Sequence, residues 1–261
     1  MSELTINTDL AEEIITGFIR TELHRAGFSK TLLGVSGGID SALSLYLSAQ
    51  ALGPENVLAV RMPYKTSSAD TLEDAQTMID ALGVQSLTIE ITDMVDPLIN
   101  HYEDMSKLRA GNIMARMRMI VLYDQSVAFN GLVMGTSNKT EMLLGYSTVY
   151  GDSAAALQPI GDLYKTQVRQ LAAYVGVPSF IIDKAPSPDL LPGIVDEYSL
   201  GIDYPTLDRI LMSLEEGLDL PAIMEAARAT RDQVDHVREL VRRSEHMRVL
   251  PLAPDLTPAT S

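Results

Sequence analysis

The segment Leu32-Leu-Gly-Val-Ser-Gly-Gly-Ile-Asp-Ser41 decides the architecture. A short apolar run breaks into two adjacent glycines and then enters a helix-like pattern at Asp40-Ser-Ala-Leu-Ser-Leu-Tyr-Leu47. Read as a buried strand over 31–35 with a helix opening at Ser41, the turn needs Gly37 and Gly38, which let the backbone approach a ligand closely and aim N–H groups at an anion. Gly34, Val35, Ser36, Gly37, Gly38, Ile39, Asp40 and Ser41 thereby form a candidate phosphate seat. No Lys follows the glycines at Walker spacing, and the GxGxxG fingerprint is absent. Asp40 is the informative residue, because a carboxylate beside an anion seat repels phosphate unless a divalent cation lies between them. Mg2+, held by one or two carboxylates together with phosphate oxygens, meets that need.

Outward from this loop, strands and helices alternate. Leu10, Ile14, Ile15, Phe18, Ile19 and Leu23 recur at helical spacing and predict a first helix ending near Gly27. Val57 to Val60 and Leu87 to Ile91 read as the second and third strands, with a helix between them capped by Ser67 or Ser68. A long helix is expected from Lys107 to Phe129, with Ile113, Met117, Ile120 and Val121 as its apolar stripe and Arg109, Asn112 and Arg116 on its polar edge. Leu132 to Met134 is a fourth strand, and the segment Gly135-Thr-Ser-Asn-Lys-Thr-Glu141 leaves it where a second ligand loop belongs. Residues 146–162 read as loop, Lys165 to Tyr174 as helix, and 185–203 as a mobile loop rich in Pro and Gly. Helices over Tyr204 to Leu214, Leu220 to Arg228 and Arg231 to Arg243 close the chain, followed by an irregular tail. Alternating strands and helices imply a parallel sheet with ligands beyond the C-terminal ends of its strands.

Composition narrows the function. The 261 residues carry 20 basic and 35 acidic side chains, a net charge of −15, which disfavours a nucleic-acid partner. The absence of cysteine excludes a disulfide framework, a thiolate metal site and a thiol nucleophile of the chain's own. No run approaches the roughly 20 apolar residues of a membrane span, and no secretory signal is visible. A cytoplasmic location without a membrane partner is the expectation.

Ser36-Gly-Gly-Ile-Asp-Ser41 resembles the pyrophosphate loop of the N-type ATP pyrophosphatases, which split ATP between its α and β phosphates to adenylate a substrate. Three longer pieces, Gly135 to Glu141, Gly145-Tyr-Ser-Thr-Val-Tyr-Gly-Asp152 and Gly161-Asp-Leu-Tyr-Lys-Thr-Gln167, look like one family within that group, NAD synthetase. Arg61-Met-Pro-Tyr64, Asp74-Ala-Gln76, Gly111 to Arg118, Pro186-Ser187, Asp196-Glu197 and Glu245-His-Met-Arg248 match in the same order, over residues of about 10 to 251.

The resemblance implies an α/β fold: a three-layer, Rossmann-like, doubly wound parallel sheet with helices on both faces and a C-terminal helical segment. It implies one synthetase domain over 1–261 with no glutaminase domain. The chemistry implied is adenylation of the nicotinate carboxylate of deamido-NAD by ATP, release of pyrophosphate, and displacement of AMP by ammonia to give NAD. Asp40 and Glu141 match the family's magnesium ligands, and Lys165 a lysine contacting ATP and the activated intermediate; these three are the expected catalytic residues. Thr136 and Ser187 match hydroxyl contacts to ATP, Arg61 and Gln76 contacts around its sugar and base, and Arg116 and His246 contacts to deamido-NAD. Taken alone, Arg116 would be a helix-edge Arg whose stem covers apolar surface. The family binds the dinucleotide across its subunit interface, so a homodimer is expected, with the Met-rich helix from Lys107 as an interface element. Without a cysteine nucleophile, free ammonia is the expected nitrogen donor.

Three positions depart from the family's dinucleotide side: Val149 and Met247 where Lys is usual, and Ala156 where Asp is usual. They keep two alternatives in view. One is an N-type ATP pyrophosphatase amidotransferase acting on another acid, and the other is a nucleotide-binding regulatory protein without turnover.

Overall fold

The computed structural model describes residues 4–184, 201–249 and 253–254. Four strands, β1 (Thr31–Gly34), β2 (Val57–Arg61), β3 (Gln85–Thr88) and β4 (Leu132–Val133), form one sheet in the order β3-β2-β1-β4, with every pair parallel. β1 shows why such a strand is apolar throughout. Leu32 and Leu33 are both fully buried, yet they point into different hydrophobic clusters on opposite faces of the sheet.

One face carries α1 (Thr8–Arg25), α2 (Ile39–Leu52), α3 (Ala69–Leu82), α7 (Lys165–Tyr174) and α8 (Ser179–Ile182). The other carries α4 (Thr92–Ile99) and α5 (Lys107–Phe129). A third cluster joins α6 (Lys139–Leu144) to three C-terminal helices, α9 (Tyr204–Glu215), α10 (Leu220–Ala227) and α11 (Arg231–Arg243). The architecture is therefore the three-layer, doubly wound α/β fold with a C-terminal helical segment. From β1 to β3 the chain builds the sheet in one direction, then returns to place β4 on the other side of β1. That reversal opens a crevice between the loops leaving β1 and β4, where parallel sheets of this kind take their ligands.

Several details differ from the expectations. β3 occupies Gln85–Thr88 rather than Leu87 to Ile91, because the neighbouring strand ends at Arg61 and Pro63 has no N–H with which to continue the ladder. Pairing persists only one-sidedly, Ile89 and Ile91 donating to the carbonyls of Arg61 and Pro63 at 2.9 Å each. α4 and the short α8 have no counterpart in the sequence reading. On α5 the buried face is Gly111, Met114, Ala115 and Val121, while Ile120 points outward at 54% exposure. Within the segment read as loop, residues 156 and 157 extend the sheet edge, Ala156 donating to the Val133 carbonyl at 2.9 Å and Gly135 to that of Leu157 at 2.8 Å. The Pro- and Gly-rich stretch over 185–200, with Ser187 and Asp196-Glu197, lies outside the described residues.

Candidate active site

The loop leaving β1 is built by its own small residues. Gly37 has φ +81°, and a Cβ there would stand 2.5 Å from the Thr71 carbonyl oxygen of α3, so both backbone conformation and space demand glycine. The Ser41 hydroxyl accepts from the Ser36 N–H at 3.2 Å and donates to the Gly38 carbonyl at 3.0 Å, pinning the turn. Gly38 then serves as N-cap of α2 without a side-chain cap. The α2 N-terminus therefore faces the crevice with Asp40 in its first turn.

The loop leaving β4 is stiffened by Asn138, which is fully buried. Its side-chain oxygen accepts from the Glu141 N–H at 3.0 Å, and the Asn138 N–H donates to the Glu141 carboxylate at 3.4 Å, a reciprocal capping box for α6. Its amide nitrogen also donates to Asp40 Oδ1 at 2.8 Å, so one side chain orients both acids. Gly135 makes room for a side chain: a Cβ would stand 2.1 Å from Gln158 Oε1 and push away the oxygen that accepts from the Ser137 N–H at 3.2 Å.

Lys165 closes the constellation. It is 2% exposed, and its Nζ lies 2.5 Å from Asp40 Oδ2 and 3.0 Å from Glu141 Oε1, with the Tyr204 ring centroid 5.5 Å away. Burial alone would lower the lysine's pKa, but the Asp40 and Glu141 carboxylates overcome it and hold the pKa well above its ordinary value. Glu141 is pushed up to about 7, first by burial and further by the like charge of Asp40, against the pull of Lys165. Two part-buried carboxylates, their side chains 19% and 18% exposed, share one ammonium, which leaves an excess negative charge that a second cation would neutralise. Among the described residues no cluster of three or more potential metal ligands exists. Two oxygen-donor acids could nonetheless hold a hard cation such as Mg2+ once phosphate oxygens and water complete its shell, and the ammonium between them shows that a cation fits there.

This triad borders a cavity of about 710 Å³, large enough for a nucleotide, whose wall includes the whole Gly34–Ser41 seat and Thr136. The fold brings Asp40, Glu141, Lys165, Thr136 and the 34–41 loop to this one cavity. Arg61, Gln76, Arg116 and His246 are not among the lining residues. Gln76 is engaged with Asp80 at 2.6 Å, Arg116 donates to the Val149 carbonyl at 3.3 Å and 3.2 Å, and His246 is exposed with Nδ1 3.0 Å from the Arg243 carbonyl. Sequence reasoning gave no role to Asn138, although an Asn three places before Glu141 is a capping-box spacing. It also gave none to Asp152 and Lys184, both on the cavity wall. Burial raises the pKa of Asp152, which accepts from the Thr148 N–H at 2.6 Å and so braces its own loop. Lys184 reaches Asp74 at 2.8 Å and Thr71 at 3.3 Å, behind the phosphate seat.

The departures sit apart from the triad. Val149 offers only its carbonyl, Ala156 belongs to the sheet edge, and Met247 Sδ lies 2.8 Å from where a Cβ on Gly145 would stand.

Known proteins resemble this chain over nearly its whole length. An NH(3)-dependent NAD(+) synthetase from Chlorobaculum parvum is 48% identical over 259 residues, covering 99% of this chain and 93% of the relative. The solved structure of an NH3-dependent NAD synthetase from Campylobacter jejuni, in complex with the nitrate ion, superposes with a TM-score of 0.82 at 32% identity over 96% of this chain and all of that one. An NMN synthetase from Francisella tularensis superposes with a TM-score of 0.85 at 28% identity over 96% of this chain and 100% of its own. The family model for NAD synthase matches residues 11–251, almost the whole chain, and the chain belongs to that family.

Proposed function

We propose that this chain amidates deamido-NAD to NAD with ATP and ammonia, through an adenylated carboxylate and release of AMP and pyrophosphate, within one synthetase domain. The observation that carries the reading is the Lys165 ammonium held between Asp40 and Glu141 at the crevice where the sheet reverses. A free carboxylate acylates poorly because its oxide leaving group is too basic, and adenylation supplies a better one. Bringing two anions together requires charge compensation, and fixed positive groups where charge develops. Bound Mg2+ would neutralise phosphate oxygens and act as a Lewis acid on them.

In this reading Asp40 and Glu141 hold the metal, and Gly37 and Gly38 let the Val35 to Ser41 backbone close on the phosphates. Lys165, buried beside both acids, supplies the fixed ammonium that would face the transferring phosphoryl group. Thr136 supplies a hydroxyl to the nucleotide, and Arg61, Gln76 and Ser187 are assigned to its sugar and base side. Ammonia rather than a glutamine-derived nitrogen is supported by the absence of cysteine.

The dinucleotide side is assigned to Arg116 and His246 in a homodimer. Arg116, Ile120, Tyr123 and Val127 recur at helical spacing on the outward face of α5, the last three 54%, 40% and 82% exposed. Pairing of that face with a second copy would bury the apolar residues and bring Arg116 to the interface.

A second reading has its own support in Val149, Ala156 and Met247 together with the likeness to an NMN synthetase: amidation of the mononucleotide acid. Incubation with ATP, magnesium and ammonium, with deamido-NAD in one arm and nicotinate mononucleotide in the other, separates them. NAD formed faster than NMN is expected. Preference for the mononucleotide favours the second reading, and ATP binding with neither product overturns both.

A further inference from the structure

The helix that carries Lys165 is only half capped by its own chain neighbourhood, the Gln167 side chain accepting from the Tyr164 N–H at 3.0 Å. Its N-cap residue, Tyr164, makes no side-chain capping bond to the first turn of α7. The unpaired N–H groups there are met by two buried residues from other elements. The Thr140 hydroxyl of α6 accepts from the Lys165 N–H at 2.9 Å, and Asp208 of α9 accepts from the Thr166 N–H at 2.8 Å. Thr140 Oγ1 also donates to Asp208 Oδ1 at 2.6 Å, which uses the hydroxyl as donor and acceptor at once and fixes its direction. Thr140 and Asp208 are both fully buried, and among the described residues Asp208 makes no salt bridge. Thr140 precedes Glu141 and Thr166 follows Lys165, so the relay grips the chain immediately beside two of the three members of the charged triad.

A buried carboxylate with no cation in direct contact, the Lys165 charge acting on it only at a distance, is an expensive way to fill space between helices, where an apolar residue would pack at no desolvation cost. What it supplies here is direction, a negative group at the positive end of α7 and a fixed acceptor for the residue next to Glu141. We propose that Asp208 and Thr140 are positioning residues for the amidation reaction, setting the separation of Lys165 and Glu141 through the first turns of α6 and α7 without touching a substrate. The proposal rests on the amidation reading given above. It also explains why the C-terminal helices, which contribute none of the seat for ATP, pack directly behind it.

The test compares T140S, T140V and D208N with the wild type, measuring kcat, KM for deamido-NAD, the magnesium concentration that half-saturates turnover, and hydrogen exchange of the Lys165 and Thr166 amides. T140V and D208N are expected to lose about 10- to 100-fold in kcat, the scale of a small misplacement of reacting groups, with KM little changed. Both should need more magnesium and should exchange the two amides faster, whereas T140S, which keeps the hydroxyl, should restore all four readouts. Wild-type kcat and magnesium requirement in T140V would overturn the proposal. Should D208N fail to fold, the T140S and T140V pair still decides. If the wild type makes no NAD, the amidation reading fails, and amide exchange still judges the relay: no acceleration in T140V refutes it.

Discussion

Lys165 Nζ stands 2.5 Å from Asp40 Oδ2, although the two residues are 125 positions apart in the chain. The contact joins the first turn of α7 to the first turn of α2, and Glu141 completes it from α6. Replacing the lysine with an apolar residue of similar length leaves two part-buried acids side by side without a counter-charge. K165M is therefore expected to lose about 1–3 kcal/mol of stability and nearly all turnover. Urea denaturation checks the first, and magnesium should recover part of the loss, because a divalent cation substitutes for the missing ammonium. A variant as stable as the wild type, and indifferent to magnesium, would show that the triad is electrostatically idle.

The raised pKa of Glu141 has a consequence for stability. Its carboxyl moves from 4.5 to about 7 on folding, so the folded state binds a proton that the unfolded state has released. Its contribution is fully present below 4.5 and is lost as pH rises through about 7. Metal-free wild-type protein should lose stability across that interval relative to E141Q, which has no proton to release, and added magnesium should flatten the difference. Parallel pH profiles of the urea midpoint for the two proteins would contradict this.

Gly37 tests the phosphate seat. With φ +81° and a would-be Cβ 2.5 Å from the Thr71 carbonyl oxygen, G37A must strain the backbone, move α3, or both. The left-handed conformation alone costs about 1–2 kcal/mol, and the close contact adds to it. Calorimetric titration with ATP and magnesium should show weakened binding, whereas G17A, whose Cβ meets nothing within 4 Å, should bind normally.

Dimerisation is tested at Ile120. It sits in the middle of the outward stripe of α5, so I120D should convert a dimer to a monomer of 28.5 kDa in sedimentation experiments. A wild-type monomer, or a dimer untouched by the substitution, would place the interface elsewhere or remove it.

Much of this architecture was legible because the local signals agree with one another. The apolar strands are buried on both faces and so show unbroken runs, and α5 and α7 begin and end where Ser106, Asn130 and Gly176 permit. Where the reading failed, the deciding residue lay elsewhere in the chain. Leu87, Ile89 and Ile91 alternate like a strand, but Pro63 on the adjacent segment interrupts the ladder. α4 contains Pro97, a residue that argues against a helix interior. Ile120 looked inward because periodicity cannot distinguish a core stripe from an outward one. In the site, Asp40 was visible from its place beside the glycines, and Glu141 and Lys165 only through the family motifs that carry them. Asp208 was not, since nothing near it in sequence reveals that it ends up behind Thr140.

The central claim is that Asp40 and Glu141 jointly hold a divalent cation against the triphosphate. Crystals grown with Mn2+ and a non-hydrolysable ATP analogue, with data collected at the manganese edge, test it directly. An anomalous peak is expected within coordination distance, about 2.1–2.2 Å, of carboxylate oxygens from both residues, with the Lys165 ammonium shifted toward phosphate. A bound nucleotide whose metal lies away from these two acids, with both still paired to Lys165, would contradict the account.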